Sequence, residues 1–225
     1  MTLEEYFGDW LKVIDQPSLN RVVNILGPLY QRKPVVPEFT DIFKAFRLCS
    51  EHDCKVIFLG QDPYPQKGVA TGVLFGNKEG TEELSPSLEV IKEACINYEI
   101  PHPPIHFDVT LESWGKQGIL MLNSALTCEM NRIGSHVMLW RPFVSKLIDN
   151  LSHKEPGLIY VLFGSQAQTF EPYIDKRFNS IIKVHHPAYY ARTHTKMPYH
   201  IFRQINQLLI DNYGVPVKWY TELLT

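Results

Sequence analysis

Lys55-Val-Ile-Phe-Leu59 is a run of residues that are apolar or have an aliphatic stem, and Gly60-Gln-Asp-Pro-Tyr-Pro65 follows it directly. The run is typical of a strand that is buried on both faces of a sheet. The residues after it include glycine and proline, which make the chain turn. Because open α/β sheets bind ligands at the carboxyl ends of their strands, Asp62 and Tyr64 are predicted to lie in a functional site.

The rest of the chain alternates between strand-like and helix-like patterns. Strand-like runs occupy residues 55–59, 118–122, 158–163 and 181–184. Apolar residues at helical spacing occur at about 87–97, 140–151, 165–174 and 199–211. The alternation predicts an α/β fold with a central, mostly parallel four-stranded sheet flanked by helices on both faces. No repeat or linker divides the sequence, so we expect a single domain over residues 1–225.

The amino terminus carries a helix signal of its own. Thr2 and Glu5 have the spacing of a capping box, which predicts that a helix begins after Thr2. The apolar residues that follow at helical spacing include Leu3, Phe7, Trp10 and Ile14, and we interpret them as core contacts.

Composition and charge limit the class of protein. Apolar residues make up 44% of the 225 residues and charged residues 20%, which fits a globular domain with a sizeable core. No stretch reaches the ~18 consecutive apolar residues of a membrane span. The start of the chain lacks a secretory or transit pattern, so we expect a cytoplasmic protein, or a nuclear one if the source is eukaryotic. The net charge of −2 gives no global signal for nucleic acid, although a local basic stripe is compatible with it.

Two sets of potential metal ligands receive a structural interpretation. The spacing of Cys49, Cys54, Cys95 and Cys128 matches no zinc or iron–sulfur pattern and favours free buried thiols. His102-Pro-Pro-Ile-His106 has the spacing of a metal pair, but its two prolines exclude the helix that would align the rings. We therefore expect neither a metal nor another cofactor.

A polar group stands at the end of each strand-like run. These groups are Gln61-Asp62, Asn123, Gly164-Ser165 and His185-His186 before Pro187. Each has an ordinary explanation when taken alone, as a turn former, a helix cap or a satisfied loop residue. Together they stand at equivalent positions of a parallel sheet, which predicts that they converge on one pocket. No Gly-x-Ser-x-Gly elbow is present, so a catalytic triad is not indicated.

These segments resemble those of family 1 uracil-DNA glycosylases. The shared motifs, in the family's order, are Gly60-Gln-Asp-Pro-Tyr64, Leu120-Met-Leu-Asn-Ser124, Gly164-Ser165 and His186-Pro187. Ser85-Pro-Ser-Leu88, Trp114-Gly-Lys-Gln-Gly118 and Ser135-His136 are similar as well. The resemblance runs from about residue 10 to residue 209. Its first motif is specific, because related glycosylase families carry other residues in place of Asp62 and Tyr64.

The resemblance implies a DNA repair enzyme that flips uracil out of DNA and hydrolyses its N-glycosidic bond, leaving an abasic site. Asp62 would position a water and stabilise the sugar cation, and a neutral His186 would donate a hydrogen bond to uracil O2. The resemblance also implies binding roles for six residues. Gln61 would contact uracil O2 through its backbone amide, Asn123 would hydrogen-bond the uracil edge, and Phe75 would stack on the base. Tyr64 would exclude thymine, and Ser87 and Ser165 would contact DNA phosphates.

Two loops depart from the family pattern. After His186 the family has Pro-Ser-Pro-Leu-Ser, whereas this chain has Pro187-Ala-Tyr-Tyr-Ala191. We predict that Tyr190 takes the place of the wedge leucine and that Arg192 reaches a phosphate in place of the lost serines. The alternative is that Tyr190 packs on its own loop. In the first motif, Pro65 stands where the family has histidine.

The partners implied by the resemblance are uracil-containing single- and double-stranded DNA, and the protein is expected to be a monomer. DNA-mimicking inhibitor proteins are known for the family and are a further class of partner. Two other functions are less compatible with the sequence. A non-catalytic DNA- or partner-binding protein of the same fold is disfavoured by the intact Asp62, Asn123 and His186, and a small-molecule hydrolase by the absence of a metal set or nucleophile elbow.

Overall fold

The computed structural model describes residues 2–96 and 103–223. Its strands are, in chain order, β1 (Val35–Val36), β2 (Val56–Gly60), β3 (Ile105–His106), β4 (Ile119–Asn123), β5 (Cys128–Glu129), β6 (Ile159–Phe163), β7 (Ser180–Val184) and β8 (Thr221–Glu222). The central sheet has the order β4-β2-β6-β7, and all of its strand pairs are parallel. The predicted parallel four-stranded sheet is therefore confirmed, with strand ends that differ from the predicted ones by one residue or less.

The helices are α1 (Leu3–Phe7), α2 (Gln16–Arg32), α3 (Lys44–Leu48), α4 (Pro86–Ile96), α5 (Glu112–Gly115), α6 (Val137–Lys154), α7 (Gly164–Gln168), α8 (Pro187–Thr193) and α9 (His200–Tyr213). Short 3-10 turns span Gly8–Lys12, Phe39–Asp41 and Glu171–Tyr173. The capping box of Thr2 and Glu5 is present at the start of α1. The helix predicted at 87–97 is α4, and its last predicted residue lies outside the described residues.

The helix predicted at 165–174 is wrong in its second half. α7 ends at Gln168, and a 3-10 turn with a proline in its first turn follows at Glu171–Tyr173. Pro172 has no N–H to donate to a carbonyl one turn earlier, so the helical ladder does not continue through it. The apolar spacing persists because the short turn still packs on the core, where Phe170 is fully buried.

Alternate side chains of the central strands enter two separate cores, one on each face of the sheet. On β2, Ile57 and Leu59 belong to the core that α2 and α6 cover, whereas Val56 and Phe58 belong to the core that α4 and α9 cover. β2 and β6 are buried over their whole length, which explains why their sequences are continuous apolar runs. The prediction of helices on both faces is confirmed.

The two sets of potential metal ligands named in the sequence can be compared with the structure. All four cysteines are buried and free. Over residues 2–96 and 103–223, no group of three or more His, Cys, Asp and Glu side chains is arranged to hold a metal. His102 lies outside the described residues, so the predicted structural role of the His102/His106 pair stays a prediction. None of the described helices is long and apolar enough to cross a membrane.

Candidate active site

A cleft of about 360 Å³ lies at the carboxyl edge of the central sheet. It is formed by the segments that follow β2, β4 and β7, where the polar residues at the strand ends come together. The predicted site residues that line it are Gln61, Asp62, Tyr64, Phe75, Ser87, Asn123, His186 and Arg192. Three of the four strand ends predicted to share one pocket therefore do so, those at Gln61-Asp62, Asn123 and His186, whereas Gly164-Ser165 lies outside the cleft lining.

Asp62 is held by two donors through one of its carboxylate oxygens. The side-chain amide of Gln61 donates to Oδ2 at 2.8 Å, and the backbone N–H of Gly134 donates to the same oxygen at 3.0 Å. The other oxygen, Oδ1, is buried, and no donor among the described residues contacts it. Burial raises the pKa of Asp62, while the hydrogen bonds from Gln61 and Gly134 work in the opposite direction. One oxygen is thus fixed, and the other can accept a hydrogen bond from water or substrate.

His186 precedes α8 and caps it. Its Nδ1 accepts a hydrogen bond of 3.2 Å from the backbone N–H of Ala188, so the ring proton of the neutral form resides on Nε2. Burial lowers the pKa of His186, because the charged imidazolium is poorly solvated there. The ring meets Phe75 edge to face, with centroids 5.4 Å apart. His186 is therefore arranged as an uncharged donor.

Phe75 has an unusual backbone conformation. Its φ of 62° lies in the left-handed region, which is uncommon for a bulky residue and costs roughly 1–3 kcal/mol. The hydroxyl of Tyr64 donates to the carbonyl oxygen of Phe75 at 3.1 Å. The Phe75 ring packs edge to face on Phe163 at the end of β6, at 5.2 Å between centroids. These contacts fix the orientation of a flat aromatic ring beside Asp62 and His186.

Asn123 is the last residue of β4 and pairs in register with Gly60 of β2. Its Oδ1 is buried without a donor among the described residues. A Cβ at Gly60 would lie 3.0 Å from this oxygen and 2.3 Å from the side chain of Leu74. Only glycine therefore leaves room for the amide of Asn123 at the floor of the cleft. An amide in this position presents both a donor and an acceptor to a planar ligand.

The residues predicted to contact phosphates are in different environments. Ser87 is buried near the start of α4 and lines the cleft. Arg192 is exposed in the last turn of α8 and lines the cleft mouth. Ser165 is exposed in the first turn of α7 and lies outside the cleft lining, so its phosphate contact stays a prediction.

The predicted wedge role of Tyr190 disagrees with its placement. Tyr190 is only 8% exposed and belongs to the core beneath α8, and its ring also contacts His185 and Tyr189 of its own segment. Its neighbour Tyr189 is 39% exposed, lines the cleft and stacks on His185 with ring centroids 4.7 Å apart. The reason is helical phase: α8 begins at Pro187, so consecutive side chains point about 100° apart around its axis.

Sequence reasoning also missed Ile133 and the backbone of Gly134. Ile133 is 69% exposed and lines the cleft, and the Gly134 N–H holds Asp62. One feature of the sequence could have indicated Ile133, because it is a lone isoleucine in the polar segment Asn131-Arg-Ile-Gly-Ser135. A backbone N–H gives no such signal, because every residue except proline has one.

Comparison with known proteins identifies relatives of the chain. A family profile described as the uracil DNA glycosylase superfamily matches residues 46–210. The uracil-DNA glycosylase of Pectobacterium carotovorum is 34% identical over 195 residues, which cover 85% of this chain and 83% of that protein. The uracil-DNA glycosylase of Campylobacter jejuni is 35% identical over 195 residues, 86% of this chain and 83% of that protein.

Solved structures share the fold. The crystal structure of mimivirus uracil-DNA glycosylase superposes with a TM-score of 0.73 at 24% identity, covering 97% of this chain and 93% of that one. A variant of the mimivirus protein, crystallised in complex with UGI, gives a TM-score of 0.75 at 25% identity, covering 90% of this chain and 82% of that one.

Proposed function

The chain belongs to the uracil DNA glycosylase superfamily, and we propose that its cleft hydrolyses the N-glycosidic bond of deoxyuridine with Asp62, His186 and Asn123 as the principal side chains. The protein is a DNA repair glycosylase, an enzyme that removes uracil from DNA. The observation that carries the residue assignment is the presence, in one cleft, of a carboxylate with a buried, unpartnered Oδ1 among the described residues and of an imidazole whose pKa is lowered by burial. A base inside a duplex cannot reach such a cleft, so the nucleotide must leave the stack first.

Asp62 acts on the sugar side of the scissile bond. As the C1′–N1 bond breaks, its electron pair moves to the uracil ring and the sugar becomes cationic. The carboxylate stabilises that cation, and its Oδ1 accepts a hydrogen bond from the attacking water, whose oxygen forms the new bond to C1′. Burial raises the pKa of Asp62, which makes the carboxylate a better acceptor for the proton that the water loses.

His186 acts on the base side. Negative charge develops on uracil as the bond breaks, and Nε2–H donates a hydrogen bond to O2, where part of that charge resides. A preorganised donor of this kind contributes roughly 2.7–4 kcal/mol to transition-state stabilisation. The Ala188 N–H on Nδ1 fixes both the tautomer and the ring orientation. The backbone amide of Gln61, directly before Asp62, is proposed as a second donor to O2.

Base selectivity comes from three groups around the flipped base. The amide of Asn123 donates to O4 and accepts from N3–H, a pattern that uracil offers and cytosine does not. The Phe75 ring stacks on the base face. The Tyr64 ring fills the space beside C5, so the methyl group of thymine meets it. The hydrogen bond from Tyr64 to Phe75 and the packing of Phe75 on His186 position the two rings, and the strand pairing with Gly60 positions the backbone of Asn123.

Phosphate contacts hold the strand across the cleft mouth. Ser87, Ser165 and Arg192 are proposed to make them, and the net charge of −2 means that the attraction is local and not global. The mimivirus structure contains UGI, and we propose that the same face of this chain accepts an inhibitor protein of that type. Both single- and double-stranded DNA are proposed as substrates, since a single strand avoids part of the cost of unstacking.

The test is direct. Purified protein is incubated with matched oligonucleotides that carry one uracil, one thymine or one cytosine, and strand breakage after alkali reports abasic sites. We expect breakage at uracil alone, and none with Asp62→Asn under the same conditions. Wild-type protein that leaves uracil intact in both single-stranded and duplex DNA would overturn the proposed function. Full activity of Asp62→Asn would overturn only the role given to Asp62.

A further inference from the structure

Large exposed aliphatic and aromatic side chains occur at several places on the described surface, and two of them also line the cleft. These are Ile133, 69% exposed, and Tyr189, 39% exposed. Exposed apolar groups scattered singly need no explanation. Two of them at the mouth of one site are a different case, because a ligand that enters the site must pass between them.

The two residues belong to different elements of the cleft wall. Ile133 belongs to the segment that follows β4 and β5, and Tyr189 belongs to α8, which follows β7. β4 and β7 are the two edge strands of the central sheet, with β2 and β6 between them. Ile133 and Tyr189 therefore enter the cleft from segments that follow the two opposite edge strands.

The segment that carries the exposed Ile133 is held in place by hydrogen bonds. Met130 and Asn131 donate backbone hydrogen bonds to Pro34 and Pro65 at 2.8 and 2.9 Å, which tie the segment to two other loops. The hydroxyl of Ser135 accepts from the backbone N–H of Glu129 at 2.8 Å, closing the loop on itself. An aliphatic side chain is thus presented to solvent on a fixed backbone, as expected of a surface that meets a partner.

The segment is also anchored by charge and by the reacting carboxylate. Glu129 pairs with Lys33 and with Arg132, each at 2.5 Å. On the other side of Ile133, the peptide that joins it to Gly134 supplies the N–H that holds Asp62 at 3.0 Å. Ile133 is therefore one peptide group away from the machinery that acts on the sugar.

We propose that Ile133 is a second apolar DNA contact, which packs on the sugar and base edge of a nucleotide beside the flipped uracil, from a part of the cleft wall separate from Tyr189. The inference rests on the proposed function, because it requires DNA to lie across this cleft. With apolar groups on two separate segments of the cleft wall, the DNA strand would be contacted at two positions near the extruded nucleotide. Such contacts offset part of the unstacking cost that extrusion brings.

The decisive variant is Ile133→Ala, with Ile133→Leu as the conservative replacement. Met138→Ala is the matched control, because Met138 is 78% exposed at the start of α6 and lies outside the cleft lining. Binding is measured by fluorescence anisotropy with a duplex that carries an uncleavable 2′-fluoro-deoxyuridine, and turnover with the natural substrate. Thermal unfolding of each variant shows whether the fold is intact.

We expect Ile133→Ala to weaken duplex binding roughly tenfold, the effect of losing most of one buried aliphatic side chain. KM should rise by a similar factor with a smaller change in kcat, because Gly134 keeps its N–H. Ile133→Leu should restore binding, and Met138→Ala should match the wild type. If Ile133→Ala binds the duplex as tightly as Met138→Ala does, and the wild-type protein releases uracil, the inference is overturned while the proposed function stays in place. Absence of uracil release by the wild type would overturn both.

Discussion

The hydroxyl of Tyr64 donates a hydrogen bond of 3.1 Å to the backbone carbonyl of Phe75, the residue whose φ is 62°. The ring proposed to exclude thymine therefore also holds the backbone that presents the stacking ring. Burial raises the pKa of the Tyr64 phenol, so the hydroxyl stays protonated and remains a donor at neutral and moderately alkaline pH. Exclusion of the methyl group and support of Phe75 are two functions of one side chain, and two substitutions separate them.

Tyr64→Phe removes the hydroxyl and keeps the ring, whereas Tyr64→Ala removes both. We expect Tyr64→Phe to reject thymine as the wild type does, and to lose about 1 kcal/mol of stability with the hydrogen bond. Tyr64→Ala should release thymine at a measurable rate, because the space beside C5 is then open. Release of both bases from matched oligonucleotides, together with thermal unfolding, tests this. If Tyr64→Phe releases thymine as fast as Tyr64→Ala does, the hydroxyl and not the ring provides the selectivity.

His186 should remain uncharged throughout the working pH range. Its pKa is lowered by burial, and a proton on Nδ1 would break the bond from Ala188. For a histidine whose folded pKa lies below its unfolded value, the stabilisation is present above the unfolded pKa and is lost as pH falls through the folded one. Nitrogen-15 NMR of the complex with uracil, assigned with His186→Gln, should show an unprotonated Nδ1 at neutral pH. An imidazolium signal there would contradict the proposed role.

Asp62→Asn should lose most turnover and gain stability at neutral pH. The pKa of Asp62 is raised, so its contribution to stability is full below the unfolded pKa and is lost as pH rises through the folded pKa. The ionised carboxylate is thus a net cost at neutral pH, while an amide oxygen can still accept from Gln61 and Gly134. Thermal unfolding should show a higher midpoint for Asp62→Asn near pH 7, with a smaller difference in acid. A lower midpoint at neutral pH would mean that the carboxylate stabilises the fold.

The side chain of Gln61 lowers the pKa of Asp62 by donating a hydrogen bond to its carboxylate. Gln61→Met keeps the length of the side chain and removes the donor to Asp62 Oδ2, so the pKa of Asp62 should rise further. The acidic limb of the kcat/KM profile should then move to higher pH, with little change on the alkaline side. Gln66→Met is the control, because Gln66 is an exposed glutamine of the same loop. An unchanged acidic limb would show that Asp62 does not set it.

The fold and most of the site could be predicted because both depend on patterns that are visible over a few consecutive residues. Apolar runs mark the strands of a buried parallel sheet, and the polar residues Asp62, Asn123 and His186 stand where those strands end. The parallel topology then brings these ends together without further information. Pro172, in contrast, ended a helix whose apolar spacing continued past it, because packing on the core requires the same spacing from a short turn.

The mouth of the cleft was harder to predict, since it depends on helical phase and on backbone hydrogen bonds. Tyr189 and Tyr190 are identical in type, and only the start of α8 at Pro187 decides which one faces the cleft. Ile133 is an ordinary residue type, and its importance follows from its position beside the peptide that holds Asp62. Neither relationship can be inferred from the residue types alone.

The pair Tyr189 and Tyr190 allows surface and core effects to be separated in adjacent residues of one chemical type. Tyr189→Ala removes an exposed ring at the cleft mouth, where stacking on a base is worth roughly 1–3 kcal/mol. Activity should therefore fall more on duplex than on single-stranded uracil substrates, because only the duplex requires a neighbouring pair to be kept apart. The unfolding midpoint should change little, since the ring is 39% exposed and its aromatic contacts among the described residues are with His185 and the edge of Tyr190.

Tyr190→Ala should behave in the opposite way. Its ring is 8% exposed in the core, and truncation of a buried aromatic side chain costs roughly 3–5 kcal/mol of folding free energy. We expect a clearly lower unfolding midpoint, with activity on duplex and single-stranded DNA reduced in equal proportion once corrected for the folded fraction. Tyr190→Phe keeps the packing and should restore the midpoint. The opposite outcome would be a Tyr190→Ala variant that loses activity mainly on duplex DNA and a Tyr189→Ala variant with wild-type activity. That outcome would assign the wedge role to Tyr190 and would require α8 to rotate when DNA binds.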